Sequence, residues 1–166
     1  MGMTDEVLYE VEGRVALITL NRPEARNAVS PAVTIAMHRI MATFESDPTV
    51  WVAILTGAGD RAFSAGADLK AINAGEAPAI EAPPGGFGGF VRYPRTKPVI
   101  AAVNGVALAG GCELVLACDI VVASRAAEFG LPEVSRGIIA GGGGLFRLPR
   151  TIPRCRAAFD THTCVM

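Results

Sequence analysis

The chain has 166 residues, 51% of them hydrophobic, and a formal charge of −1 from 15 basic and 16 acidic side chains. That length and apolar content suit one domain with a real core, and the near-neutral balance without a long basic run excludes a nucleic-acid footprint while leaving room for a small anionic ligand. No apolar stretch is long enough to span a bilayer, and the acidic N-terminus MGMTDEVLYEVE lacks the basic and apolar regions of a signal peptide, so a cytoplasmic protein with no membrane partner is expected.

In chain order, VLYEVEGRVALITLNRP reads as two strands joined at Glu12-Gly13 and ending at Pro23. Ser30-Pro31 reads as an N-cap followed by proline in the first helical position. Val33, Ala36, Met37, Ile40, Met41 and Phe44 then recur at helical spacing until Asp47-Pro48 stops the helix. His38, beside that stripe, reads as a helix-edge residue rather than a catalytic one. Three short apolar runs rich in β-branched residues, at 50–57, 98–105 and 119–124, predict strands buried on both faces. LAGGCELVLAC, between the second and third, predicts a helix, and the alternation points to an α/β layered fold. The Pro/Gly-rich stretch 75–90 reads as a mobile loop near a site opening. No internal repeat is evident in the sequence.

Two glycine signals carry less than they promise. GAGDRA (57–62) matches a dinucleotide fingerprint, but no continuous helix follows, and the acidic residue expected some twenty positions on falls in the Pro/Gly stretch; it reads as a turn. GGGG (141–144) lacks the Lys-Ser/Thr of a phosphate loop and instead lets a backbone approach something closely. Among the four cysteines, Cys112, Cys118, Cys155 and Cys164, there is no C-x-x-C pair, and the first two read as small buried hydrophobes. The two histidines, His38 and His162, stand far apart without ligand spacing, so neither a metal site nor a histidine-driven nucleophile is expected. Carboxylate chemistry is what remains.

AFSAGADL (62–69) and ALAGGCEL (107–114) each follow a strand region and open a helix through small residues. A helix start leaves N–H groups unpaired, and Ala67 and Gly110 would present them with little side chain in the way. Two such groups aimed at one oxygen form an oxyanion hole, although either phrase alone reads as an ordinary tight turn. Glu113 rises from the first turn of the second helix. A first-turn glutamate favours the helix dipole in any case. Leu114, Val115, Leu116 and Ala117, however, make this helix apolar nearly all round, which predicts a buried carboxyl with a raised pKa. Glu133 in FGLPEVSRG reads by itself as a surface-loop residue; its place between the strand at 119–124 and the glycine run makes it a second candidate.

AFSAGADL, PVIAAVNGVALAGGCELVLACDIVVAS and EFGLPEVSRGIIAGGGG together resemble the enoyl-CoA hydratase/isomerase (crotonase) family, from about the first strand to Arg154. The resemblance implies an α/β spiral of ββα units over residues 1–154, with the family's C-terminal helical region largely missing. Residues 155–166, CRAAFDTHTCVM, form a tail unlike the family, which reads as a truncated or frame-shifted coding sequence. It further implies that Ala67 and Gly110 hold a thioester carbonyl, that Glu113 activates water, that Glu133 exchanges a proton at the neighbouring carbon and that Gly141 helps hold the water. NRPEARNA (21–28) resembles the loop that meets coenzyme A, with Arg26 facing its phosphates and Ala65, Asp68 and Leu69 near its adenine and pantetheine end. The implied activity adds water across a 2-trans-enoyl-CoA to give a 3-hydroxyacyl-CoA, in fatty-acid β-oxidation. Coenzyme A is then part of the substrate and no separate cofactor or metal is needed, and a full-length chain would form trimers or hexamers. Alternatives are an isomerase, which in this family runs with the Glu133 position alone, another acyl-CoA reaction, or a non-catalytic CoA-binding fragment. Leu131 and Ala140 depart from the family pattern, where a polar residue and a proline are common.

Overall fold

The computed structural model describes residues 6–82 and 84–153. The chain opens on an antiparallel hairpin of β1 (Val7–Glu12) and β2 (Val15–Leu20), with Val7 opposite Leu20. The alternation along β2 buries Ala16, Ile18 and Leu20 on one face. Helix α1 (Pro31–Ser46) begins where its local signals place it: the Ser30 Oγ accepts the Val33 N–H at 3.1 Å, and Pro31 takes the first position. Val33, Met37, Ile40, Met41 and Phe44 are buried, and extended Asp47 ends the helix. The same hydroxyl donates to Glu6 Oε2 at 2.7 Å. Ser30→Ala therefore loses both a cap and a link to the first strand, and should cost about 1 kcal/mol. In a chain of this size that is a melting midpoint lower by about 2–4 °C, to be read by thermal unfolding.

β3 (Val52–Gly57), β4 (Ala62–Ser64), α2 (Leu69–Asn73) and α3 (Ala77–Ile80) follow. Then come β5 (Val99–Val103), β6 (Val106–Leu108), α4 (Gly110–Leu116), β7 (Ile120–Ala123), β8 (Phe129–Gly130), a 3-10 turn over Pro132–Arg136 and α5 (Gly144–Thr151). β3, β5 and β7 extend the hairpin as parallel strands in the order β1-β2-β3-β5-β7, while β4, β6 and β8 form a second parallel sheet in that order with β6 central. From β3 onward, each turn of the chain lays one strand in the large sheet and the next in the small one, then leaves through a helical turn. This is a spiral of strand–strand–helix units. The repeat is one of backbone path with different side chains each time, which is why the sequence shows none.

Three expectations need correction. The large-sheet strands are not buried on both faces: β3 and β5 alternate buried with half-buried residues, and all four residues of β7 are exposed. The core that α1 shares with the sheet covers one face only, and β7 is an edge with one neighbour among the described residues. The stretch 75–90 is not simply a loop. It contains α3 and a 3-10 turn at Phe87–Gly89, with Phe87 and Phe90 buried in the main core. Gly89 serves close approach: a Cβ on it would stand 2.5 Å from the Thr34 carbonyl oxygen of α1. The phrase SAGAD does not open a helix at Ala67; α2 starts at Leu69, with Asp68 as its cap.

Cys112 is buried, and Cys118 donates to the Leu114 carbonyl at 3.4 Å. Burial pushes the Cys118 thiol up to about 12, so it stays protonated and unreactive at neutral pH. His38 packs edge-on against Tyr93, ring centroids 5.4 Å apart. Cys155, Cys164, His162 and the segment 155–166 lie outside the described residues. Among those described, no helix is long and apolar enough to cross a membrane.

Candidate active site

The small sheet positions the site. Its register sets Ser64 beside Ala107, Ala107 beside Phe129 and Leu108 beside Gly130. Counting forward from that row, the three chain exits carry Ala67, Gly110 and the Pro132–Glu133 turn to one end of the sheet. The first two exits touch: a Cβ on Gly66 would stand 2.9 Å from the Gly110 nitrogen and 3.1 Å from Ala109 Cβ. Ala67 is bracketed by two hydrogen bonds, from Val29 N–H to the Gly66 carbonyl at 2.8 Å and from Asp68 N–H to the Val29 carbonyl at 2.9 Å. Its own N–H and that of Gly110 make no hydrogen bond among the described residues. The Ala67 donor is a loop amide and the Gly110 donor a helix start, so only the second gains from a helix dipole.

Ala109 has φ 51° and ψ −127°, a conformation costly for any residue with a Cβ. It is held by its N–H on the Gly130 carbonyl at 2.9 Å and by its own carbonyl, which accepts the Glu113 N–H at 3.1 Å. Strain of this kind costs about 1–3 kcal/mol and persists only where surroundings over-determine it. Here it turns the chain sharply from β6 into α4, directly before the Gly110 N–H.

Glu113 is 3% exposed, and its Oε1 accepts the Gly144 N–H at 2.8 Å. Burial pushes its pKa above the ordinary 4.5; hydrogen bonds from the Gly144 and Gly142 backbones oppose that rise, the Glu81 charge adds to it and Arg147 opposes it. Glu133 is 7% exposed in the 3-10 turn, not on the surface. Burial raises its pKa too, its own backbone N–H opposes the rise, and the Glu113 charge adds to it. Its Oε2 has no hydrogen-bond partner among the described residues. Two dry carboxyls therefore sense one another in unlike surroundings, and the one with two N–H donors is the easier to ionise.

A cavity of about 260 Å3 opens at Ala67, walled by Ile72, Ala77, Pro78, Ile80, Glu81 and Phe87. The Phe87 ring occupies the space a Cβ on Gly110 would need. Gly141, at the start of the glycine run, faces Glu81 rather than Glu113: its Cβ position is 3.5 Å from Glu81 Oε1. Arg26 is exposed with φ 52°, and its carbonyl accepts the Ala65 N–H at 3.0 Å, which brings these two residues together. Leu69 is exposed. The Asp68 carboxylate is already engaged, 3.0 Å from Arg22 and accepting the Lys70 N–H at 3.0 Å.

Sequence reasoning missed several supports. Arg22 also donates to the Ala28 carbonyl at 2.7 Å, and Asn27, itself at φ 54°, donates to the Ala62 and Ala58 carbonyls at 2.8 and 3.0 Å. Together they tie the loop at 21–28 to the approach to β4. Arg147 clamps the glycine run, donating to the Gly142 carbonyl at 2.9 Å and the Val91 carbonyl at 2.8 Å. Leu131 and Ala140 are buried with Cys112 and Leu148 in a small second cluster. Asp68 for Arg22, Ala62 for Asn27 and Val91 for Arg147 are partners distant in sequence, and no local pattern marks them.

The chain resembles known proteins over nearly its whole length. The family model for enoyl-CoA hydratase/isomerase matches residues 10–164, including most of the segment set apart as a tail. Carnitinyl-CoA dehydratases of Escherichia coli K12 and Salmonella arizonae are each 45% identical over 152 residues, covering 91% of this chain and 58% of theirs. An enoyl-CoA hydratase structure from Mycobacterium tuberculosis H37Rv superposes with a TM-score of 0.90 at 49% identity, covering 97% of this chain and 62% of that one. A carnitinyl-CoA hydratase structure from Mycobacterium avium gives 0.89 at 50% identity over the same shares. The chain thus spans about three fifths of the length of these relatives. With the match running over nearly all of its sequence and its backbone following theirs, the chain belongs to the enoyl-CoA hydratase/isomerase family.

Proposed function

We propose that the site adds water across the double bond of a 2-enoyl-CoA and, in reverse, removes it from the 3-hydroxyacyl-CoA. The observation that carries this reading is the pair of buried carboxyls in unlike surroundings beside two unpaired N–H groups. In the forward direction Glu113, ionised and steadied by Gly144 and Gly142, takes a proton from water as the water oxygen bonds to carbon 3. The electron pair of the double bond moves through carbon 2 onto the thioester oxygen. The Ala67 and Gly110 N–H groups stabilise that oxyanion, each such donor being worth about 2.7–4 kcal/mol of barrier in comparable sites. Glu133, protonated, gives its proton to carbon 2 as the carbonyl re-forms. Water is added, no electrons leave the substrate, and proton exchange between the two carboxyls and solvent restores the start.

Coenzyme A enters as part of the substrate. Arg26, Ala65 and Leu69 line its approach, while Asp68, paired with Arg22, shapes the loop rather than meeting the ligand directly. Hydration and dehydration share one transition state, so relatives named hydratase and dehydratase support one reading. A trimer or hexamer for the full-length chain, a cytoplasmic location and a place in fatty-acid β-oxidation belong to the same proposal.

The test is turnover of crotonyl-CoA by the purified chain with product identified by chromatography. A 3-hydroxyacyl product is expected, and a shifted double bond would replace hydratase by isomerase. Glu113→Gln should lower kcat by about 10²-fold or more with little change in KM, since the lost proton transfer acts only in the transition state. An unchanged kcat would remove Glu113 from the mechanism.

A further inference from the structure

The glycine run at 141–144 holds Glu113, and a run of glycines does not hold itself. Glycine lets a backbone lie against a carboxylate, but it also leaves that backbone the most conformations to lose. Two of the four residues crowd the acid: a Cβ on Gly142 would stand 2.6 Å from Glu113 Oε2, and one on Gly144 3.1 Å from Glu113 Oε1. The residue between them meets a base instead. Gly143 has φ 104°, and a Cβ there would collide with Arg147 Nη1. Arg147 lies one turn into α5, and its backbone N–H donates to the Gly143 carbonyl at 3.0 Å. Its guanidinium directs one terminal nitrogen to the Gly142 carbonyl at 2.9 Å and the other to the Val91 carbonyl at 2.8 Å. Val91 is buried in the main core. One side chain thus pins the run to the core, with carboxylate and guanidinium packed against consecutive glycines.

We propose that Arg147 is the positioning residue of Glu113: it fixes the glycine run that donates to this carboxylate and sets a positive charge against it. The inference rests on the hydration reading of the site, in which Glu113 must be ionised to take a proton from water. Nothing in that reading brings Arg147 to the reacting atoms; it acts through Gly142 and Gly144. The charged groups that face Glu113 come from three elements, Glu81 after α3, Glu133 in the 3-10 turn and Arg147 on α5. Glu133 is protonated when Glu113 works, and Glu81 is exposed, where solvent screens its charge. Arg147 is half-buried with both terminal nitrogens held, so its charge is the best placed of the three to act on Glu113.

The test is the pH dependence of kcat/KM for crotonyl-CoA hydration in the parent chain, Arg147→Gln, Arg147→Lys and Arg150→Gln. Ionisation of Glu113 sets the acid limb and protonation of Glu133 the basic limb. Glutamine keeps a donor and removes the charge, so Arg147→Gln should move the acid limb to higher pH. On the parent's acid limb this variant should lose about three- to tenfold more activity than at its own plateau, with the basic limb little moved. Lysine keeps the charge but replaces a two-pronged donor by a single ammonium. Arg147→Lys should therefore lower the plateau and leave the acid limb near the parent's. Arg150, an exposed neighbour that donates to the Phe146 carbonyl of its own helix, is the control, and Arg150→Gln should move neither limb. Each rate is divided by the folded fraction from circular dichroism at the same pH, and Arg147→Met serves where the glutamine variant does not fold. An acid limb unmoved by loss of the charge, or moved as far by lysine as by glutamine, overturns the role and leaves the hydration reading standing. A parent chain that forms no 3-hydroxyacyl product overturns both.

Discussion

Glu133→Gln is expected to reduce turnover of crotonyl-CoA by about 10²- to 10⁴-fold, the usual worth of a positioned general acid. Glutamine has nearly the same volume and cannot deliver a proton to carbon 2. It should also leave the fold intact, because the Oε2 it replaces has no hydrogen-bond partner among the described residues. Stability should in fact rise near neutrality. Burial holds the folded-state carboxyl above its ordinary 4.5, with the Glu113 charge adding to the rise. Between 4.5 and that raised value the folded chain binds more protons than the unfolded chain, so stability is highest below the window and falls as pH rises through it. Glu133→Gln removes this loss. The variant should melt above the parent at about pH 7, with the gain shrinking toward pH 4. Stopped-flow or steady-state assays give the first result and melting curves at the two pH values the second. Full turnover would exclude Glu133 as the acid, and a lower midpoint at neutral pH would mean its carboxylate makes a stabilising contact.

This opposition between stability and chemistry runs through the site. Glu113 and Glu133 are both held where their charged forms are disfavoured, and Ala109 is held in a strained conformation. Each is tolerated because the small sheet and the glycine run over-determine the backbone around it. The repeated strand–strand–helix path makes that economical. Three exits from one short sheet bring together residues as far apart as 67, 110 and 133.

What could be read from sequence divides along the same line. The start of α1 was legible because Ser30, Pro31 and the stripe from Val33 to Phe44 act within a few residues of one another. The burial of Glu113 followed from its apolar neighbours in α4. The strands were found, but their exposure was not: β-branched Ile120, Val121 and Val122 look like core, and only the strand order shows that β7 is an edge. Gly89 reads as mobility because Thr34, the group it approaches, is some fifty residues away. The convergence of Ala67 with Gly110 depends on sheet register, which no local pattern encodes; it was available only as a family resemblance. Ala109 was invisible for a related reason, since alanine carries no sign of a positive φ.

Gly111→Ala is the most informative test of that convergence, because two effects of opposite sign compete in it. Alanine is favoured over glycine in a helix interior by about 1 kcal/mol, so by propensity alone the variant should be more stable. Packing reverses this. A Cβ on Gly111 would collide with the Ser64 carbonyl oxygen and lie 2.7 Å from its carbon and 3.0 Å from Ser64 Cβ. Ser64 cannot withdraw cheaply: it is fully buried, its Oγ donates to the Asn27 carbonyl at 2.9 Å and accepts the Gly66 N–H at 3.2 Å. Relief must come from α4 moving away from β4, which separates the Gly110 N–H from Ala67. Overpacking of this kind costs about 1–3 kcal/mol, enough to cancel the propensity gain. Loss of alignment at one oxyanion donor removes about 10²- to 10³-fold in kcat. Turnover should therefore fall far more than stability does. Gly13→Ala, at φ 60° in the β1–β2 turn with nothing within 4 Å of its Cβ position, is the control. Left-handed strain there costs about 1–2 kcal/mol while the site is untouched, so it should lower the melting midpoint and leave kcat alone. If Gly111→Ala behaves like Gly13→Ala, the contact between β4 and α4 does not set the oxyanion geometry, and the two N–H groups are aligned by the Ala109 turn alone.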